Sequence, residues 1–174
     1  MRADTAEGSM MKREPIETGD TLMREAVAED VARIAALILH GAPTQTRTPE
    51  EIAAEAQHPA YRDAFARIRA GNHTSLFVAE RDGSVVGTYQ ISLLPGLAER
   101  GRVRAKIESV HVAPECRGRG IGAIMMRHAL AFAAAKGVGL VELTSNKARP
   151  DAHRFYTRLG FSQSHEGFKK ALSP

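Results

Sequence analysis

The spacing of apolar residues changes along the chain, and the change separates predicted helices from predicted strands. After a short strand beginning at Thr21, residues 28–40 carry apolar side chains three and four positions apart, which predicts a helix that Gly41 ends. A proline followed by two glutamates predicts the start of a second helix over about 49–57. A third helix is expected to continue to about residue 70.

From residue 75 apolar residues alternate with polar ones, which is typical of strands. SLFVAE and VVGTYQISLL are separated by an Asp-Gly turn and predict a hairpin. RAKIESVHV predicts a further strand that ends at Pro114, and residues 121–136 return to a helical spacing. GLVELTS predicts a buried strand, residues 151–159 predict a short helix, and FSQSHEGFKKAL predicts one or two closing strands.

This order of elements, β-α-α-β-β-β-α-β-α-β, predicts an α/β protein of the mixed α+β kind. Because strands and helices do not strictly alternate, we expect a mixed sheet with helices on both faces rather than a doubly wound parallel sheet. Residues 21–174 are expected to form one domain, since 174 residues are ordinary for a single core. Residues 1–20 are polar and predict a flexible lead-in, in which Met10 and Met11 are alternative starts.

The amino-acid composition limits where the protein is expected to be located and which kinds of partner it is expected to bind. No apolar run approaches the roughly 20 residues that cross a bilayer, and the first residues contain no apolar signal region, so we expect no membrane association. The single cysteine, Cys116, makes no internal disulfide and favours a cytoplasmic location. The net charge of +4 is spread among acids and there is no Trp, which disfavours a nucleic-acid partner and leaves room for a local anion site.

One stretch, VHVAPECRGRGIG, joins a predicted strand to a predicted helix through three glycines and two arginines. Backbone N–H groups at a helix start lack partners inside the helix, so this arrangement binds anions such as phosphate. A Walker loop needs a Gly-Lys-Ser/Thr ending, which is missing, and a dinucleotide fingerprint needs a different glycine spacing near the start of its unit. The third kind of phosphate loop, an Arg-x-x-Gly-x-Gly pattern, matches residues 117–122. The alternative is that these glycines only form a tight turn.

That pattern, with HRFYTRLGF about 35 residues later, resembles the GNAT superfamily of acetyl-CoA-dependent N-acetyltransferases, and the resemblance runs from LMREAVAEDVARIAAL to RFYTRLGF. It implies the GNAT acyl-CoA N-acyltransferase fold, with a mostly antiparallel splayed sheet and helices on both faces. It also implies acetyl-CoA as co-substrate, with its diphosphate over the glycine loop. The positions that the resemblance assigns to acetyl-CoA are Val110, His111, Val112, Arg117, Gly118, Arg119, Gly120, Ile121, Gly122, Ala123, Asn146 and Tyr156.

Two of the matching positions are candidates for catalysis. The resemblance implies that the Tyr156 phenol protonates the departing thiolate, with plain packing beside Phe155 as the alternative. Glu108 is a candidate base that acts through a water. Alternation along the strand places its side chain on the face of Val110 and Val112, where we expect poor solvation. Poor solvation raises the pKa of a carboxylate towards values useful for a base. The alternative for Glu108 is a buried salt bridge.

Several other polar residues have less specific surroundings. Asn146 matches a position that contacts pantetheine or orders water, or it is a plain strand cap. His111 is a second-site base or a packed residue, and His128 is expected to be a satisfied core histidine. Cys116 beside Arg117 allows an acetyl-cysteine route, but it is expected to lie far from the acetyl group. No histidine pair has metal-ligand spacing, so no metal is assigned.

The acceptor is expected to be a small primary amine, attacked directly in a ternary complex. The tail NKARPDAHRFYTRLGFSQSHEGFKKAL resembles that of aminoalkylphosphonate N-acetyltransferases, which implies an anionic amine. Arg47, Arg62 and Arg67 are candidates to hold such an anion, or simply solvated helix residues. The alternatives are a protein or peptide N-acetyltransferase and a non-catalytic acyl-CoA sensor. The resemblance also implies a homodimer, since dimers are common in this superfamily, although the sequence itself does not determine the oligomeric state.

Overall fold

The chain was analysed as a computed structural model, which describes residues 16–18, 20–42 and 45–172. Within these ranges six strands form one sheet in chain order. The strands are β1 (Ile16–Thr18), β2 (Thr21–Glu25), β3 (Thr74–Arg81), β4 (Ser84–Leu94), β5 (Arg104–Val112) and β6 (Leu140–Leu143). Neighbours are antiparallel except β5 and β6, which run parallel, so the mostly antiparallel mixed sheet is confirmed.

Six α-helical segments surround this sheet in the described part of the chain. They are α1 (Val31–His40), α2 (Pro49–Glu55), α3 (Pro59–Ala70), the short turn α4 (Ala98–Gly101), α5 (Ile121–Ala135) and α6 (Pro150–Arg158). α2 begins where the Thr-Pro-Glu-Glu pattern predicts, because the Thr48 hydroxyl accepts the N–H of Glu51 while the Glu51 carboxylate accepts the N–H of Thr48.

Two apolar cores lie on opposite faces of the sheet, because successive strand residues point to opposite sides. Phe77 and Ala79 of β3 pack with Met125 of α5 in the α5-side core. Val78, between them, packs with Leu37 of α1 in the α1-side core. Helices on both faces are therefore confirmed.

The hairpin between β3 and β4 forms as predicted. Asp82 and Gly83 connect the strands with φ values of 50° and 72°, the left-handed conformation that a two-residue hairpin turn requires. The long, paired β4 forms the centre of the sheet and supports β5, the strand that leads into the glycine loop.

Both ends of the chain differ from the predicted pattern. Residues 161–172 contain no strand, so the prediction of closing strands is wrong, and Phe168 and Leu172 in this tail are exposed. At the other end, Ile16–Thr18 pairs with β2, so sheet pairing begins before residue 21. Residues 1–15, most of the predicted lead-in, lie outside the described residues.

No helix in the described ranges has the length and apolar character needed to span a bilayer.

Candidate active site

A cleft opens where β5 and β6 part. The two strands pair only from Arg104–Leu140 to Ile107–Leu143, and β6 ends there. β5 continues to Val112, paired on its other side with β4. Residues 108–112 therefore have no strand neighbour on the β6 side within the described chain, and their backbone lines the opening. This is the splay that the resemblance implies.

The glycine loop lies at one end of this cleft and presents unused backbone donors. Gly118 and Gly120 have φ values of 75° and 80°, and a Cβ added at either would meet nothing within 4 Å. No described residue accepts a hydrogen bond from any backbone N–H of residues 118–122. These five amides precede or begin α5, whose dipole adds positive potential at the same point. The loop is therefore a cradle for an anion.

The two arginines of the loop add charge without being neutralised. Arg117 and Arg119 are exposed, and neither forms an ion pair with a described carboxylate. The Arg117 Nε donates to the carbonyl oxygen of Val112 at 3.2 Å, which ties the loop to the end of β5. Guanidinium groups suit phosphate oxygens because their N–H donors are arranged in a rigid fork.

The last predicted loop positions have different roles. Ile121 is 1% exposed, so its side chain anchors α5 in the α5-side core and only its amide is available. A Cβ on Gly122 would lie 3.4 Å from the Phe155 ring, so glycine here allows α6 to approach α5 closely. The N–H of Ala123 already donates to the carbonyl of Gly120 at 3.0 Å, which leaves Ala123 out of the unused donors.

A β-bulge in β5 changes which side chains share a face. Glu108 pairs with Gln90 and His111 with Thr88, so one residue of β4 faces both Ser109 and Val110. Ser109 has a φ of 52°, which accommodates the extra residue.

The bulge overturns the predicted alternation around Glu108. Val110 and Val112 join Ile107 in the α5-side core, so the prediction that Glu108 shares their face is wrong. The Glu108 side chain is 39% exposed and contacts Lys106 Nζ at 2.8 Å. The expected poor solvation and buried salt bridge are therefore both wrong; the carboxylate forms a partly exposed ion pair with a lysine.

Tyr156 lies on α6 with its ring against Phe155 and Phe161, and it packs on the same core as Val110 and Val112. Burial raises the pKa of Tyr156, and the Arg149 cation opposes that shift only in part. Its hydroxyl makes no hydrogen bond to a described residue, and its ring contacts are with the apolar rings of Phe155 and Phe161. The site therefore holds a phenol that stays protonated at neutral pH.

The loop from β6 to α6 forms the wall of the cleft on the β6 side, because β6 ends at Leu143 and the chain then leads into α6. The Asn146 side-chain oxygen accepts the N–H of Ala148 at 2.9 Å, and its carbonyl accepts the N–H of Arg149 at 3.0 Å. Asn146 therefore caps this loop rather than the strand, which ends at Leu143, while its amide NH₂ makes no hydrogen bond to a described residue.

Ser145 and Arg149 belong to the same wall and were not predicted as site residues. The Ser145 hydroxyl is buried and has no hydrogen-bond partner in the described chain, although such groups are almost always paired. For Arg149, the basic run NKAR was the only feature of the sequence that could have indicated a role in the site.

His111 occupies the α1 face of the cleft. Its ring lies against Gly41, the residue that follows α1, because a Cβ there would sit 2.0 Å from His111 Nδ1. Burial, with the nearby cations Arg149 and Arg117, lowers the pKa of His111 to about 4. The imidazole is therefore neutral at physiological pH.

This shift predicts a loss of stability in acid. Above pH 6.5 His111 is neutral in both folded and unfolded chains; as pH falls from 6.5 towards 4, only the unfolded chain gains the proton. We expect the free energy of unfolding at pH 5 to be lower than at pH 7.5 by roughly 2 kcal/mol from this residue. Denaturant melts of wild type and His111→Gln measure it. An equal pH dependence in both proteins would contradict the prediction.

The remaining candidates have structural roles. His128 Nδ1 lies 2.5 Å from the Tyr89 hydroxyl, which confirms the prediction of a satisfied core histidine. Cys116 is half-buried and packs against both cores. No group of three metal-ligating side chains occurs in the described ranges. Arg47 lines a shallow groove of about 530 Å³ along α2, whereas Arg62 and Arg67 are exposed on α3.

Comparison with known proteins agrees with this geometry. An aminoalkylphosphonate N-acetyltransferase of Salmonella typhimurium is 34% identical over 86% of this chain and 90% of its own. A glucosamine 6-phosphate N-acetyltransferase of Trypanosoma brucei brucei is 35% identical over 59% of this chain and 67% of its own. A solved structure described as a transcriptional regulator from Bacillus halodurans superposes with a TM-score of 0.78 at 32% identity, covering 87% of this chain and 99% of that one. Residues 42–161 match the model of the Acetyltransferase (GNAT) family, and the chain belongs to that family of N-acetyltransferases.

Proposed function

We propose that this enzyme transfers the acetyl group of acetyl-CoA to the primary amine of a small molecule by direct attack in a ternary complex. The observation that carries the proposal is the run of unused amides at residues 118–122, which opens onto the cleft between β5 and β6. A diphosphate needs several donors in one place, and this run supplies them without rearrangement.

The described residues fit an acyl-CoA. The amides of 118–122, with Arg117 and Arg119, would hold the diphosphate. The unpaired backbone of β5 residues 108–112 would hold the pantetheine and acetyl end, and the Asn146 side-chain amide would contact it from the β6 side of the cleft. When bound, acetyl-CoA supplies a thioester-activated acetyl group.

The chain itself contributes proton handling. Tyr156, protonated because burial raises its pKa, would donate its phenolic proton to the leaving sulfur. Glu108 stays the candidate base through a water, and the bulge puts it and His111 on the α1 face of β5. The packed position of Cys116 gives an acetyl-cysteine intermediate no support.

For the acceptor we propose an anionic small amine, such as an aminoalkylphosphonate. The relative from Salmonella, named for that activity, spans most of both chains. The relative from Trypanosoma is named for a phosphorylated amino sugar, which is also an amine that carries an anion. The unneutralised arginines around the cleft support an anionic ligand in addition to the coenzyme.

A thiol-release screen tests the function. Purified enzyme with acetyl-CoA is given aminophosphonates, amino sugars, polyamines, aminoglycosides, amino acids and peptides, and free CoA thiol is measured. We expect turnover with a small amine and none with peptides. Turnover with peptides alone would instead favour a protein N-acetyltransferase, and acetyl-CoA binding without any thiol release would favour the sensor alternative.

A further inference from the structure

Arg149 stands at the mouth of the cleft on the wall that carries Tyr156. It is the residue immediately before α6, the helix that carries Tyr156, and its N–H donates to the carbonyl of Asn146 at 3.0 Å. Its charge acts on both His111 and Tyr156, groups that belong to different walls. Arg149 thus belongs to the loop that leaves β6 at the end where its pairing with β5 stops.

The acidic groups around the cleft are already engaged. Glu108 is paired with Lys106, Glu115 with Arg33, and Asp151 with Arg154. Arg149 is exposed and forms no ion pair and no side-chain hydrogen bond in the described chain.

The glycine loop does not need this charge. The diphosphate cradle has its own amides and its own arginines, Arg117 and Arg119, and Arg117 is tied to the carbonyl oxygen of Val112. Arg149 therefore provides a separate positive charge near the phenol and the neutral imidazole of His111.

We propose that Arg149 is a specificity-determining residue that binds the anionic group of the acceptor amine. The inference rests on the proposed function and deepens it, since it selects amines with a phosphonate, phosphate or carboxylate close to the nitrogen. A guanidinium binds such oxyanions through two parallel hydrogen bonds. Its positive charge also disfavours the ammonium form of the acceptor and so favours the neutral amine that attacks.

The test compares an anionic acceptor, 2-aminoethylphosphonate, with a neutral one, propylamine. In Arg149→Met we expect the KM for 2-aminoethylphosphonate to rise about 50-fold, while kcat/KM for propylamine changes less than about threefold. Arg149→Lys should recover part of the loss, because it keeps the charge but loses the fork. The matched control is Arg154→Met, which removes the same charge from another side of α6.

Calorimetry separates the acceptor from the coenzyme. Titration of 2-aminoethylphosphonate into enzyme saturated with CoA should show binding in wild type and Arg154→Met and a large loss in Arg149→Met. The Kd of acetyl-CoA should stay within about twofold in all three proteins.

Three results would overturn the inference. A raised acetyl-CoA Kd in Arg149→Met with an unchanged acceptor KM would assign the guanidinium to the coenzyme. Equal kcat/KM of wild type for the two amines would remove the selection for an anion and leave intact only the proposed acetyl transfer to a small amine. No thiol release with any amine would remove the proposed function itself, and this inference with it.

Discussion

Replacing Tyr156 with phenylalanine is expected to lower kcat about 100-fold while the Kd of acetyl-CoA stays within about twofold. The ring contacts with Phe155 and Phe161 are apolar and survive the change, so the fold and the cleft are kept. Only the hydroxyl is lost. Since burial raises the pKa of Tyr156, that hydroxyl is the protonated acid in the site over the whole neutral range. Steady-state thiol release and calorimetry measure the two quantities.

Tyr61→Phe is the matched control, because it removes a phenolic hydroxyl from α3, an element that packs on the α1-side core. We expect it to keep wild-type kcat. A wild-type kcat in Tyr156→Phe would show that water supplies the proton to the sulfur. A raised acetyl-CoA Kd at unchanged kcat would show that the hydroxyl binds the coenzyme and is not the acid.

Replacing Gly120 with valine is expected to raise the Kd of acetyl-CoA at least about 30-fold. The residue has a φ of 80°, which a β-branched side chain adopts only with strain, so the loop would turn its amides away from their common target. A Cβ here would also project into the open space where the diphosphate is proposed to lie, since no protein atom lies within 4 Å of it. Isothermal titration of acetyl-CoA measures the loss.

Gly137→Val provides the control for strain alone. Gly137 follows α5 at its other end with a φ of 69°, and a Cβ there also meets nothing within 4 Å. Both variants should lose similar stability in denaturant melts, but only Gly120→Val should lose coenzyme affinity. Equal affinity in the two variants would mean that the diphosphate does not lie on the glycine loop.

The elements of the site were largely predictable, because each depends on local chemistry. The Asp-Gly turn predicts the hairpin, and the three glycines before a helical pattern predict an anion cradle at residues 118–122. Pro49 behind Thr48 predicts a capped helix start, and the capping hydrogen bonds form. In each case the decisive atoms lie within a few residues of one another.

The face of Glu108 could not be predicted in this way. Alternation along IESVHV assigns it to the side of Val110, but an extra residue at Ser109 reverses the order. A serine in a sequence gives no indication that its φ will be positive. The bulge exists because β5 pairs with β4 on both sides of it, and pairing across a sheet is decided by residues far apart in sequence.

The conformation of the C-terminal tail could not be predicted from its local sequence either. FSQSHEGFKKAL contains enough apolar residues to suggest a strand, yet residues 161–172 pair with nothing in the sheet. Short segments of this kind have weak intrinsic preference, so their conformation depends on whether a partner edge is available.

The sequence by itself determined the helices, the hairpin and the phosphate-type loop, because periodicity, turn residues and helix caps act over at most a few neighbours. The tertiary structure was needed to show that β5 and β6 separate after Ile107, that the Ser145 hydroxyl has no partner in the described chain, and that the Arg149 charge acts on both His111 and Tyr156. Those features arise where segments more than thirty residues apart meet, and no local pattern encodes the distance between them.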